Sequence, residues 1–391
     1  MIAPPAIQAL SRTETVLQLH FTDGSRSEIP AVWLADNDPV HRDAHSGQRL
    51  IDVADLPALP LLRAARLQDG QVILEWQDGL PASRFDAGWL ACEARRPAAG
   101  AAREVLVWPA GAQCDAGRDG AWLSLAELAG SAAGAVPEVC GGSPARVAGW
   151  FRRLEAEGLA FLRGVPPEDG AILGAAAHIG LVQETNYGRL FDVRATPRAE
   201  NLAYTDLGLG LHTDNPYRDP VPGFQVLHCL LAAADGGDSL FADGFAIAAA
   251  LRAADPDAFE LLSATPVRFA WRSATAALRA TRPLIQLGAA GEVIAVHYNN
   301  RSIEPLSLAS PGLPAFYAAY RRFAQLLREP RFQLRVCLAA GELVVFDNWR
   351  ILHARTAFRA ARHLQGCYLT RDSVFSRCAL VRDAFAGDAV R

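Results

Sequence analysis

Three side chains in this sequence have the types and spacing to hold a catalytic metal. His212 and Asp214 stand in Gly210-Leu211-His212-Thr213-Asp214-Asn215-Pro216-Tyr217. On an extended segment residues i and i+2 point to the same face, so an imidazole and a carboxylate fall side by side. A second histidine, His353, ends Phe346-Asp347-Asn348-Trp349-Arg350-Ile351-Leu352-His353, behind an apolar, strand-like run. Two histidines and one carboxylate, with the other coordination positions open, are the facial donor set of non-haem Fe(II) centres. Taken alone, His-x-Asp more often marks a hydrogen-bonded structural pair, so the surrounding residues decide.

Iron held in this way keeps positions for an oxo-acid co-substrate and for oxygen, and the far carboxylate of that acid needs a cation. Arg362, in Arg362-His363-Leu364-Gln365-Gly366-Cys367-Tyr368, is the candidate. A guanidinium meets a carboxylate with two parallel hydrogen bonds. An arginine taken at random belongs to the surface; beside the triad the ligand role is favoured.

Strands must bring these distant residues together. Val16, Leu17, Leu19 and Phe21 lead into the turn Thr22-Asp23-Gly24-Ser25, and Val72 to Trp76 reads as a further strand ending at Asp78-Gly79. Residues 1–95 are therefore expected to form a small β-rich N-terminal domain. From 96 to 142 the composition shifts to Ala, Gly, Pro and Arg, the chemistry of a linker, interrupted by apolar pieces such as Val105-Leu106-Val107-Trp108. In residues 143–391 Val147, Trp150, Phe151 and Leu154 share one helical face, with Gly158 as the stop. Leu159–Leu162 reads as a buried strand, residues 171–179 as a helix, and residues 223–230 as a strand. After a turn at Gly236-Gly237-Asp238-Ser239, residues 240–242 are expected to pair back. Helices are expected at about 245–264 and 314–328, then strands at 343–346, 351–353 and 364–369. The fold class this implies is mainly β with flanking helices. Metal ligands on strands far apart in sequence fit a double-stranded β-helix, a jelly-roll barrel.

The 391 residues are half hydrophobic (51%) and one-fifth charged (20%), which suits a large buried core. All 38 basic residues are arginine, and the net charge of −4 gives no reason to expect nucleic acid as a partner. No apolar run is long and uncharged enough to span a membrane, and no signal peptide is visible at the start. The seven cysteines lack any C-x-x-C spacing, which favours a reducing cytoplasm over a disulfide framework.

The run from Tyr187 to Tyr368 resembles the γ-butyrobetaine hydroxylase branch of the Fe(II)/2-oxoglutarate-dependent dioxygenases. The matching segments occur in family order. They are Thr185-Asn186-Tyr187-Gly188, Asn201-Leu202-Ala203-Tyr204-Thr205, His212-Thr213-Asp214, Gln225-Val226-Leu227-His228-Cys229, Gly237-Asp238-Ser239, Asp243-Gly244-Phe245, Phe346 to Arg350, and Arg362 to Tyr368. In the N-terminal domain Val32-Trp33-Leu34-Ala35-Asp36-Asn37 also looks family-like. The resemblance implies that His212, Asp214 and His353 bind Fe(II), and that Arg362 anchors 2-oxoglutarate with Leu227 alongside. It implies O2 as the oxidant, and an aromatic cage of Tyr187, Phe191, Tyr204 and Tyr368 around a trimethylammonium group. A quaternary ammonium has no N–H to donate, so ring faces are its natural partners; the bland alternative is that these rings are core. Asn201 and one of Asn299 and Asn300 match positions near the acidic end of the substrate, although an asparagine pair is also ordinary loop chemistry. Arg301 could add a guanidinium there.

One departure stands out. Family members commonly carry three cysteines and a distant histidine as an N-terminal zinc site, where this chain has Asp38, Val40 and Asp43. His41 and His45 are near, but without thiolates a tetrahedral structural site is not expected. The chain after the triad, Asn215-Pro216-Tyr217-Arg218-Asp219, adds donors near the pocket. The expected activity is Fe(II)- and 2-oxoglutarate-dependent hydroxylation of a small trimethylammonium zwitterion of γ-butyrobetaine type. Alternatives are 2-(trimethylammonio)ethylphosphonate, another small acid handled in the manner of taurine, or a betaine binder that keeps the barrel without catalysis. Membrane partners are not expected, and a homodimer is one assembly the sequence leaves open.

Overall fold

The structure, a computed structural model, describes residues 5–43, 45–46, 48–77, 79–95, 122–129, 144–194, 206–306 and 312–387. The chain divides into two compact units, Met1–Ala101 and Ala102–Arg391.

In the first unit β1 (Ile7–Arg12), β2 (Val16–Phe21) and β3 (Arg26–Pro30) form one antiparallel meander. Helix α1 (Ala31–Asp36) follows, and β4 (Leu62–Gln68), β5 (Gln71–Trp76) and β6 (Ser83–Asp86) form a second meander before α2 (Ala87–Glu93). Leu17, Leu19 and Phe21 alternate inward along β2, and they share one core with Leu34, Leu74, Phe85 and Leu90. Gly24 turns the β2–β3 hairpin at φ +82°, a conformation open to glycine.

Where the resemblance implies zinc in relatives, this unit has a polar chain. The buried Asp38 carboxylate accepts from the Ser83 hydroxyl and from the Val40 N–H (3.0 Å), and the Trp76 indole N–H donates to Ser83 Oγ (2.8 Å). Asp43 accepts from the Ser46 N–H and hydroxyl, both at 2.7 Å. Both Asp38 oxygens and Asp43 Oδ1 are thus engaged by local donors, and without thiolates the residues present do not fit a tetrahedral metal site.

In the second unit β7 (Trp122–Ser124) and α3 (Leu125–Ala129) fall inside the stretch expected to be linker. That expectation is corrected for these residues: β7 pairs in parallel with β8 (Leu159–Arg163), and Leu123 is 1% exposed. Ala- and Gly-rich flanks mask a strand that needs only a few apolar residues once a sheet edge is there to receive it. Helix α4 (Pro144–Glu157) ends where expected, with Gly158 at φ +76°. Then come α5 (Ala171–Ala177), β9 (Val182–Gln183), β10 (Phe191–Arg194), β11 (Leu209–His212), β12 (Phe224–Leu231), β13 (Asp235–Gly236) and β14 (Ser239–Asp243). Helices α6 (Gly244–Ala254) and α7 (Pro256–Ala264) replace the single helix expected there. Pro256 has no N–H to continue α6, and Asp255 caps α7 through the Ala258 N–H (3.0 Å). Two hairpins follow, β15 (Val267–Arg272) with β16 (Ala277–Arg282) and β17 (Ile285–Leu287) with β18 (Val293–Val296). The chain closes with α8 (Leu313–Leu327), β19 (Gln333–Val336), β20 (Glu342–Asp347), β21 (Ile351–Arg355), β22 (Phe358–Arg359), β23 (His363–Leu369) and α9 (Arg371–Gly387).

Two sheets make the catalytic core, a jelly-roll type fold. The larger runs β10-β23-β12-β20-β8-β7, with β9 also on β23; the smaller runs β11-β21-β14-β19. Strand β14 pairs with β19 and β21, not back onto β12, so the glycine turn carries the chain from one sheet to the other. The period-2 alternation sorts the core. Phe224, Val226, Val345 and Leu369 meet α4, α5 and α9 on the outside of the larger sheet. Leu227, Cys229, Val344, Phe346 and Leu364 point inward to meet Phe241, Leu334, Val336 and Ile351 of the smaller sheet. Helices α6, α7 and α8 gather a further core with the β15–β18 hairpins.

Candidate active site

His212 and His353 are directly opposed in the β11–β21 register, with ring centroids 4.2 Å apart. Cross-strand pairing therefore supplies the second histidine that sequence distance conceals. Asp214 follows β11 on a loop fastened by Asn348, whose Oδ1 accepts from the Asp214 N–H (2.7 Å) and whose Nδ2 donates to the Asp214 carbonyl (3.0 Å). Thr213 is locked between Tyr298 and Asn299: its N–H donates to the Tyr298 carbonyl (2.8 Å), and Asn299 Nδ2 donates to its carbonyl (3.1 Å).

Ligand atoms of His212, Asp214 and His353 all lie within 4.8 Å of one another, and among the described residues they form the one group able to hold a metal ion. The donor set fits a divalent metal. His212 Nδ1 lies 2.9 Å from the Gly210 carbonyl, an arrangement that fixes the proton on Nδ1 and leaves Nε2 as a donor atom, 3.3 Å from Asp214 Oδ1. His353 Nε2 is 3.9 Å from Asp214 Oδ2. Burial, reinforced by the neighbouring His212, pushes the His353 pKa down to about 3, so its imidazole is neutral at physiological pH. Burial works against ionisation of Asp214, but His353, His212 and the Tyr368 hydroxyl outweigh it and hold the carboxyl well below the usual range. A carboxylate and two neutral imidazoles are what an Fe(II) site requires.

These ligands open onto a cavity of about 380 Å³. At one side lies Arg362, immediately before β23, with Leu227, Ser239 and Arg355. Arg362 is 7% exposed; its Nε donates to the Gly237 carbonyl (3.1 Å) and its Nη1 has no protein partner. Burial, and then the charge of Arg355, lower its pKa to about 10, which leaves it cationic at neutral pH. The surface alternative for Arg362 is excluded.

Rings line another side. Phe191 and Tyr368 are 5.1 Å apart between centroids, and Tyr187 lies 6.3 Å from Phe191. Two rings that sequence reasoning did not single out complete this wall: Trp271, 5.7 Å from Tyr187, and Tyr217, 6.1 Å from Trp271. Trp271 shares the inward period of β15 with the core residue Phe269, so by sequence it reads as core; Tyr217 could be suspected only from its closeness to Asp214. Each tyrosine hydroxyl is engaged: Tyr368 donates to Asp214 Oδ2 (2.8 Å), Tyr217 donates to Asn215 Oδ1 (2.6 Å), and the Tyr187 and Tyr217 hydroxyls are 3.3 Å apart. Asn299 lines the cavity whereas Asn300 is exposed and does not. Asn201 and Tyr204 lie outside the described residues. Arg301, Asn215 and Gln225 also line the cavity.

Comparison with known proteins agrees with this geometry. Residues 132–368 match the family described as "Taurine catabolism dioxygenase TauD, TfdA family". The chain is 39% identical to the γ-butyrobetaine dioxygenase of Pseudomonas sp. (strain AK-1) over 93% of its own length and 92% of that protein. It is 29% identical to the human γ-butyrobetaine dioxygenase over 94% of each. Among solved structures it is similar to a taurine dioxygenase from Burkholderia xenovorans, with a TM-score of 0.47 and 17% identity over 68% of this chain and 91% of that one. The chain therefore belongs to the TauD/TfdA family of Fe(II)- and 2-oxoglutarate-dependent dioxygenases, in the γ-butyrobetaine dioxygenase branch.

Proposed function

We propose that this enzyme hydroxylates a small trimethylammonium zwitterion of the γ-butyrobetaine type. The observation that carries the proposal is one cavity holding three features: the His212/Asp214/His353 group, the unpartnered guanidinium nitrogen of Arg362, and a wall of five aromatic rings. In this reading His212, Asp214 and His353 hold iron, which supplies the oxidising chemistry when oxygen and 2-oxoglutarate are bound. Arg362 takes the far carboxylate of 2-oxoglutarate, packed against Leu227 and Ser239. Tyr187, Phe191, Trp271, Tyr217 and Tyr368 offer ring faces to the ammonium group, and this fixes which carbon of the substrate faces the metal. The tyrosine hydroxyls serve their hydrogen-bond partners, so the rings present π-faces to the cavity. The free thiols at Cys92, Cys229, Cys337, Cys367 and Cys378 support work in a reducing cytoplasm.

The test is to incubate the protein with Fe(II), 2-oxoglutarate and a panel of betaines and to measure succinate. Succinate formed in step with a hydroxylated betaine is the expected result. Succinate that ignores every betaine, yet rises with sulfonates or simple acids, would overturn the ammonium reading.

A further inference from the structure

Two guanidiniums of like charge, Arg355 and Arg362, line the cavity on the side of Leu227 and Ser239, and both are buried. Neighbouring cations repel, and more strongly away from water; the charge of Arg355 is the largest cause after burial of the lowered Arg362 pKa. One ring lies against both. The centroid of Phe358 is 4.9 Å from Arg355 Cζ and 5.6 Å from Arg362 Cζ, and the ring is itself buried. An aromatic face attracts a guanidinium without bringing in an opposite charge, which would compete for the acid that the site must bind. The ring is held in turn. Phe358 stands on β22, opposite Gly236 of β13, and its N–H donates to the Asp206 carbonyl (3.1 Å). Arg355 Nη2 donates to the Leu207 carbonyl (2.8 Å) and Arg362 Nε to the Gly237 carbonyl (3.1 Å). The Nε bond fixes one point of the Arg362 guanidinium, the ring fixes its face, and Nη1 is left without a protein partner.

We infer that Phe358 is a positioning residue for the co-substrate: its ring holds Arg355 and Arg362 side by side and keeps the open nitrogen of Arg362 available to the far carboxylate of 2-oxoglutarate. The inference rests on Arg362 being the anchor of that acid. Phe358 is absent from the described residues that line the cavity, so it acts through the two arginines. Attraction to the ring offsets the repulsion between the guanidiniums in the free enzyme, and a guanidinium already held in place loses little freedom when the acid arrives. An apolar side chain without a π-face would fill the same space and leave the two cations to move apart.

The test compares wild type with F358L, F358M, F358Y and R362Q. Two readouts are taken: calorimetric titration of 2-oxoglutarate into the Fe(II)-loaded protein without oxygen, and steady-state kinetics with γ-butyrobetaine. F358L and F358M keep an apolar side chain of similar bulk and remove the ring, so either one serves if the other folds poorly. Both should raise the Kd and the KM for 2-oxoglutarate about 10-fold, the scale of two weak cation–π contacts, with kcat and the betaine KM within about twofold of wild type. F358Y, which keeps the face, should bind 2-oxoglutarate as wild type does. The ring is mere packing, and the inference is overturned, if F358L and F358M raise both KM values alike or if F358Y is as weak as they are. If F358L and F358M bind 2-oxoglutarate normally while R362Q does not, the inference fails and Arg362 stands as the anchor. If R362Q itself binds 2-oxoglutarate as wild type does, the role given to Arg362 falls, and the inference falls with it.

Discussion

Tyr368 belongs to two sets of residues at once: its ring stands against Phe191 in the aromatic wall, and its hydroxyl donates to a carboxylate oxygen of a metal ligand. The two roles separate by mutation. Tyr368→Phe keeps the ring and frees Asp214 Oδ2, so the Fe(II) concentration for half-maximal succinate formation should rise about 10-fold with the betaine KM little changed. Tyr368→Ala should raise both. His297 gives a cleaner pH effect, because it lies outside the metal group. It is 1% exposed beside Gln286, and burial pushes its pKa down to about 3. The unfolded chain takes up a proton below about pH 6.5 that the folded residue refuses, so stability present above pH 6.5 is lost as pH falls toward 3. Between pH 8 and pH 5 this residue should account for ~2 kcal/mol of lost stability, measured by urea denaturation, and His297→Gln should flatten that part of the curve. At this scale the His212/Asp214/His353 group was legible, since two of its three residues are neighbours in sequence. Trp271 was not legible as a site residue: a tryptophan on a core-facing strand period looks the same whether or not a cavity passes it.

Strand register turns these residues into a site. The β11–β21 pairing sets His212 opposite His353, and a one-residue slip would send one ring to the far face. Glycines in the neighbouring elements leave room for the side chains that matter. A Cβ on Gly366 of β23 would stand 2.4 Å from Phe191 Cε2, so Gly366→Ala should displace that ring and raise the betaine KM roughly 10-fold, the scale of one desolvated cation–π face. Gly237 has φ +73°, and its Cβ would meet Arg362 Cδ at 2.8 Å. Gly237→Ala should therefore raise the KM for 2-oxoglutarate and spare the betaine, in a steady-state titration of each compound. Most strands and the amphipathic α4 and α8 were legible because their apolar periodicity is local. Sheet membership was not. The Gly236-Gly237 turn reads as a hairpin, yet β14 joins the opposite sheet, since pairing is decided by which edge is free in three dimensions. The α6–α7 break was visible at Asp255-Pro256 but carries no signal stronger than the apolar run around it.

Each of the two units has its own apolar core, and every described residue of the candidate site lies in the second. The mainly β class was legible because the apolar alternation that marks strands is local. The division near residue 100 showed in the composition, and β7 was lost in the same alanine- and glycine-rich background. A chelator offers a test on this scale. EDTA should abolish succinate formation, with recovery on Fe(II), while the unfolding midpoint reported by Trp33, Trp76 and Trp89 of the first unit stays unchanged. A fall in that midpoint would mean that a metal holds the first unit after all. The Asp38–Ser83–Trp76 chain carries a nutritional consequence: hydrogen bonds stand in this unit where the resemblance implies a zinc clasp in relatives. Zinc starvation and thiol oxidants, which would disable a thiolate-clasped counterpart, should leave this unit standing.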